Sequence, residues 1–203
     1  MNKTLLGIIG GVVGLGLIVW LAVAIAGEEE ADASIGYGDP VVTGDALPLY
    51  NSSAAADPVV GMSAPTVEGA DWNDNEVTIE ADGRPKVVLF LAHWCPHCQA
   101  EVPVVQDWID SGNLPEGVDL YSVATSTDRL RPNWPPQEWL EDEGWTVPVI
   151  MDDEIGSVAG HVGMAGTPFD VVREGDNNVV RRISGEIGTA GLDVLVAEAV
   201  AAG

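Results

Sequence analysis

Basic side chains are scarce in this chain: eight Lys and Arg face 32 Asp and Glu, a formal net charge of −24. So acidic a surface repels phosphate backbones and anionic head groups, which excludes nucleic-acid binding. It keeps the protein soluble, and a basic partner protein is the sharper alternative. Cysteine is scarcer still, with only Cys95 and Cys98. No second C-x-x-C exists, so a four-thiolate zinc site is ruled out. No internal repeat of useful length is present, so a repeat architecture is not indicated. Between Leu5 and Ala26 charge is missing altogether, a run long enough to cross a bilayer as a helix.

That run exceeds the roughly 7–15 apolar residues of a signal-peptide core, so it reads as an uncleaved anchor over residues 1–27. Cleavage after Ala24-Ile25-Ala26, with secretion, is the alternative. Lys3 precedes the span and the next basic residue is Arg84, which places the N-terminus in the cytoplasm and the remainder outside. Gly7/Gly11 and Gly10/Gly14 have the small-xxx-small spacing of packed membrane helices. Residues 28–60 begin with Glu28-Glu29-Glu30 and carry neither a 2 nor a 3.6 period, so they read as a flexible acidic tether. Its coil would reach roughly 30 Å.

What is present is concentrated at His93-Trp94-Cys95-Pro96-His97-Cys98, straight after the apolar run Val87–Ala92. A buried strand that runs into C-x-x-C and continues as a helix is a redox arrangement. Cys95 falls at the helix start, where unpaired N–H groups and the dipole favour an anion. Protonated His97 would add positive charge beside it. Cys98, one turn on, is placed to resolve a mixed disulfide formed by Cys95. A structural disulfide would close only a few residues, for little gain in chain entropy. Copper delivery is the rival of another class, with Cys95, Cys98, His93 and His97 as donors. Such donors crowd too closely around Pro96 for tetrahedral geometry.

The folded domain is expected over residues 61–203. Short strands are expected at Ala64–Val67 and Val77–Ile79, and a buried central strand at Val87–Ala92. The cysteine helix should reach about Ile109, with a kink at Pro103. Val118–Ala124 and Val147–Met151 read as strands, with Pro136 to Gly144 as a short helix between them. Ile155–Val162 follows as a helix, and Phe169–Arg173 and Val179–Ile183 as a hairpin. Thr189 would cap a last helix with Leu192, Leu195, Val196 and Ala199 on its apolar face. Alternating strands and helices with a late hairpin give an α/β domain with a mixed central sheet flanked by helices. Trp134, Trp139 and Trp145 would cover a core edge or form a docking face. His161 reads as a packing residue, and His93 as an exposed loop residue or a ligand.

Together, Trp94-Cys95-Pro96-His97-Cys98-Gln99-Ala100-Glu101-Val102-Pro103, Val147–Asp152 and Gly166-Thr167-Pro168 make residues 62–200 similar to the thioredoxin superfamily. The resemblance is to its membrane-tethered TlpA/ResA-like branch. It implies a thioredoxin-like fold after one transmembrane helix, and a protein disulfide oxidoreductase with Cys95 as nucleophile and Cys98 as resolving thiol. It implies that Thr167-Pro168 is cis and faces the cysteines, that Trp94 and Thr167-Pro168 shape the substrate groove, and that Glu101 tunes the thiols. Protein thiols would be the substrates, with a separate redox partner resetting the disulfide. No bound cofactor is needed, because the disulfide itself carries two electrons.

Two departures stand out. Thioredoxin proper has a buried aspartate six positions before its first cysteine, where this chain has Leu89. The Pro96-His97 dipeptide resembles that of the oxidant DsbA, while the surrounding chain resembles reductases, so direction is open. Ala64-Pro65-Thr66 and Val147–Asp152 are also similar to peroxiredoxins. Those peroxidases use a lone cysteine after threonine and proline, which Trp94-Cys95-Pro96-His97-Cys98 does not provide.

Overall fold

The computed structural model describes residues 36–202. The expected anchor, its cleavage site, its glycine spacings and the first part of the tether lie outside those residues. Among the described residues, no helix is long and apolar enough to cross a membrane.

The elements run β1 (Val41–Thr43), β2 (Thr66–Ala70), β3 (Glu76–Ile79), β4 (Lys86–Leu91), α1 (Pro96–Asp110), β5 (Asp119–Ala124) and α2 (Pro136–Asp142). Then come β6 (Val149–Met151), α3 (Ser157–His161), β7 (Phe169–Arg173), β8 (Val179–Ser184) and α4 (Gly188–Ala202). Five strands form the main sheet in the order β6-β5-β4-β7-β8. β4 and β5 are parallel, as are β5 and β6, whereas β7 is antiparallel to both β4 and β8. The mixed sheet expected from the sequence is therefore present. β1, β2 and β3 form a separate antiparallel sheet.

Every residue of β4 is buried, Val87–Leu91 as their unbroken apolar run requires and Lys86 with its ammonium held by Glu80 O and Asp82. Its alternate side chains serve two cores. Val87, Leu89 and Leu91 join Val102 and Val105 of α1 and Leu192, Leu195, Val196 and Ala199 of α4. Val88 and Phe90 join Val67, Ile79, Val158 and Phe169 on the opposite face. This sandwiching fixes the end of β4, and hence the start of α1, from both sides.

Element ends differ where local hydrogen bonding decides. α1 runs through Pro103 and ends at Ser111, whose N–H bonds to Asp107 O. α3 is shorter than expected because the Asp153 carboxylate takes the Ser157 N–H at 2.8 Å and starts the helix there. α4 begins at Gly188, so Thr189 lies inside it rather than capping it.

The largest departure concerns residues 36–60. They are packed onto the domain, not extended as a tether. β1 pairs with β2, Leu47 and Val59 are buried, and Leu47 and Tyr50 donate their N–H groups to His161 O and Gly163 O, each at 2.8 Å. The close approach requires glycine at 163: its φ is +68°, and a Cβ there would stand 2.3 Å from Pro48 O. Asp57 completes the attachment through a two-pronged ion pair with Arg182 of β8, at 2.7 and 2.8 Å. These anchors are spaced irregularly, so no periodicity announces them.

Candidate active site

The site is built where β4 hands over to α1. Cys95 is the N-cap of α1 in extended conformation, and Pro96 occupies the first turn, where it costs no hydrogen bond. Both cysteines are free thiols, Cys95 at 5% exposure and Cys98 at 0%. Thr167-Pro168 is cis, as expected, and Thr167 O accepts from the Cys95 thiol at 3.4 Å. The structure thus brings Cys95, Cys98 and the Thr167-Pro168 loop together.

The two thiols are driven apart in acidity. Burial is the largest single influence on Cys95 and pushes its thiol up. The Cys98 backbone N–H, the Thr167 and Cys98 side chains and the His97 backbone N–H together outweigh it, so Cys95 ionises below its usual value. For Cys98 burial wins, opposed only partly by the Ala92 N–H at 3.4 Å, and the thiol is pushed up to about 12. One thiol is poised as a nucleophile and the other is held protonated.

His97 assists through its backbone. Its exposed imidazole is turned to Glu186, with Nδ1 2.5 Å from Oε1. His93 is neither exposed nor free to bind a metal: it is 1% exposed, its Nδ1 meets Pro132 O at 2.7 Å, and its Nε2 accepts the Asp128 N–H at 3.2 Å. Burial, the main influence, lowers its pKa and favours the neutral ring. His93 thereby fastens the 128–132 loop beside Trp94. Trp94 Nε1 donates to Ser126 O at 2.7 Å, and the Arg131 guanidinium lies 4.9 Å over its ring. Trp134 packs edge-on to His93, Trp139 is buried, and Trp145 packs against the core, so the tryptophan group mainly covers an edge. His161 closes its own helix turn on Ser157 O. Among the described residues, no three His, Cys, Asp or Glu side chains converge as a metal site.

Glu101 is not a solvated helix acid. It is 2% exposed, Oε1 accepts the Ile187 N–H at 2.8 Å, and Oε2 has no partner. Burial, more than any other influence, raises its pKa; Glu186 adds to the rise, and the Ile187 and Gly188 N–H groups oppose it. Sequence reasoning missed Asp170, two residues past Pro168 and 1% exposed, with neither carboxylate oxygen hydrogen-bonded. An acid inside the apolar run Phe169–Val172 was the available signal.

With this geometry, comparison with known proteins is decisive for the family. The AhpC/TSA family model matches residues 60–183, more than half of the chain. The chain belongs to the AhpC/TSA family. Within that family's thioredoxin-like fold it has relatives named for thiol–disulfide interchange. It is 25% identical over 111 residues to the thiol:disulfide interchange protein DsbE of Pasteurella multocida, covering 55% of this chain and 56% of that protein. It therefore spans little more than half the length of that relative. It is 28% identical over 150 residues to the DsbE homolog of Paracoccus denitrificans, covering 72% of this chain and 78% of that one. The crystal structure of a thioredoxin-family thiol:disulfide interchange protein from Chlorobium tepidum superimposes with a TM-score of 0.55 at 25% identity. It covers 72% of this chain and 99% of that one.

Proposed function

We propose that this AhpC/TSA-family chain is an extracytoplasmic thiol–disulfide oxidoreductase acting on protein thiols, held to the membrane by residues 5–26. The observation that carries the reading is the pairing of an acidified Cys95 at a helix start with a buried, protonated Cys98 one turn on, both beside Thr167-Pro168. In this mechanism the Cys95 thiolate attacks a substrate disulfide and releases one substrate thiolate. Cys98 then displaces the second and closes the Cys95–Cys98 disulfide. The separated acidities suit these steps: the attacking sulfur is ionised first, and the resolving sulfur is silent until a mixed disulfide forms. The Thr167-Pro168 loop lies against the attacking sulfur and would hold the substrate chain by backbone pairing, like an added strand, with Trp94 helping to shape the groove.

The DsbE-named relatives support protein thiols as the substrate class, and the uncharged Leu5–Ala26 stretch supports anchoring. Direction follows from the potential of the Cys95/Cys98 pair. A value near about −270 mV assigns reduction, and one near about −120 mV assigns disulfide formation.

The test is Cys98→Ser in the full chain expressed in an extracytoplasmic setting. Substrates should accumulate as mixed disulfides on Cys95, visible as reductant-sensitive adducts on gels and identifiable by mass spectrometry. Turnover should fall to background. Absence of adducts, with Cys95 remaining a free thiol, overturns the reading.

A further inference from the structure

Cys98 has a difficulty that the dithiol alone does not solve: it must give up a proton at the moment it attacks, yet it is wholly buried. Two buried carboxyl groups stand on the same side of the sheet. Glu101 is three residues beyond Cys98 on α1, hence on the same helix face, and both side chains are buried. Asp170 lies directly opposite Leu89 in the β4–β7 ladder, so its side chain shares the Leu89 face, toward α1 and α4. Its two oxygens and Glu101 Oε2 are buried without hydrogen-bond partners. Unpaired buried carboxyls are costly, and three orphaned oxygens facing one region mark a site and not a packing element.

We propose that Asp170 is a positioning residue that shares a proton with Glu101, so that Glu101, the thiol-tuning acid implied by the resemblance, is kept able to accept the Cys98 proton while the pair never ionises completely. The proposal rests on the oxidoreductase reading above and deepens it. Two like charges confined in a low-dielectric region cannot both form, so the pair retains at least one proton. Burial pushes Asp170 well above the usual carboxylate range, and the charge of Glu101 pushes it further. Glu101, whose Oε1 is held by the Ile187 N–H, is the member that ionises more readily.

The other groups facing the pair are few. α1 contributes Cys98, and the loop before α4 contributes Glu186, which is engaged with His97. The facing residues Leu89 of β4 and Ile183 of β8 carry no charge. The charged residues of α4 are occupied elsewhere, Asp193 on Trp108 and Glu198 on Arg181.

The step balances. In the mixed disulfide the Cys98 thiol proton passes to the Glu101 carboxylate, and the Cys98 electron pair forms the bond to Cys95 Sγ. The Cys95–substrate S–S bond breaks, and the substrate sulfur leaves with its electron pair and takes a proton from solvent. The substrate is reduced by two electrons as Cys95/Cys98 is oxidised, and the charged pair regains its starting state when the dithiol is reset.

The experiment uses the full chain with oxidised glutathione as the probe disulfide, quenched and read by mass spectrometry across a range of pH. Formation of the Cys95–glutathione adduct and its resolution by Cys98 are followed separately. Glu101→Gln should slow resolution about 100-fold near neutral pH, within the range for loss of a general acid–base group. Asp170→Asn should shift the inflection of the resolution profile, read against the rate of adduct formation in the same sample. A resolution profile for Asp170→Asn that superimposes on wild type overturns the proposal. Should that variant not fold, the wild-type protein carrying 13C-carboxyl aspartate decides. Asp170 must show a protonated-carboxyl infrared band at neutral pH, and absence of the band overturns the proposal. If adducts never form on Cys95 at all, the oxidoreductase reading fails instead, so the two failures are distinct.

Discussion

At neutral pH, iodoacetamide should alkylate Cys95 at least about 30-fold faster than Cys98. A thiol at the ordinary value of 9.0 is about 1% ionised at pH 7, and Cys95 is held below that value. Cys98, at about 12, is ionised to only ~10⁻⁵. The ratio of thiolates is therefore at least ~10³. Part of it is returned because a more basic thiolate is intrinsically the better nucleophile, with a Brønsted slope of about 0.4–0.5. That offset is roughly 16- to 32-fold at this bound, which leaves a factor of at least about 30. Access works in the same direction, since Cys98 is fully buried and Cys95 retains a small exposed fraction. Selectivity should fall as pH rises, because the ionised fraction of Cys98 grows tenfold per unit while that of Cys95 saturates. The measurement is the time course of singly modified peptides by mass spectrometry, with the urea-unfolded chain as the reference in which the two cysteines equalise. Comparable rates in the folded protein would remove the physical basis of the assigned roles.

The chemistry at the head of α1 was legible because it is local. A strand, a turn and a helix start are consecutive in the chain, so spacing alone placed Cys95 at the cap and Cys98 one turn on. Thr167-Pro168 was legible only through the resemblance, since its approach to Cys95 spans 72 positions of sequence. Asp170 was illegible for a similar reason. Leu89 shows that no acid lies beneath the dithiol on β4, but the acid stands across from it on β7, and ladder register is not written in either strand. The partner of the residue-97 ring was not legible, because Glu186 lies 89 positions along the chain; the backbone N–H of residue 97 bonds to Cys95. His93 was ambiguous because one buried imidazole and one exposed imidazole look alike until the 128–132 loop is seen to close over it.

Residues 36–60 show the same limit on a larger scale, and they carry the second large prediction. The Arg182 side chain is fully buried and grips Asp57 with two prongs, while its Nη1 donates to Pro48 O and Val162 O at 2.8 Å each. It also lies over the Tyr50 ring at 5.5 Å. Asp57→Ala leaves that guanidinium buried without its counter-charge, a change that typically costs 3–5 kcal/mol, or roughly 6–20 °C in melting temperature for a domain of this size. Arg84→Met provides the control: its pair with Asp119 is as short, but Arg84 is half exposed, so about 1 kcal/mol or less is expected. The sign of the pH dependence follows from Asp57, whose pKa is lowered chiefly by the hydrogen bond to Arg182. A depressed carboxylate contributes stability above its unfolded pKa and loses it as pH falls through the folded value. The gap between wild type and Asp57→Ala should thus be full at neutral pH and close in acid below about 3.8. Melting curves of the two proteins across that window test it. A tether would leave the curves coincident, whereas a structural arm clamped at Arg182 separates them by many degrees.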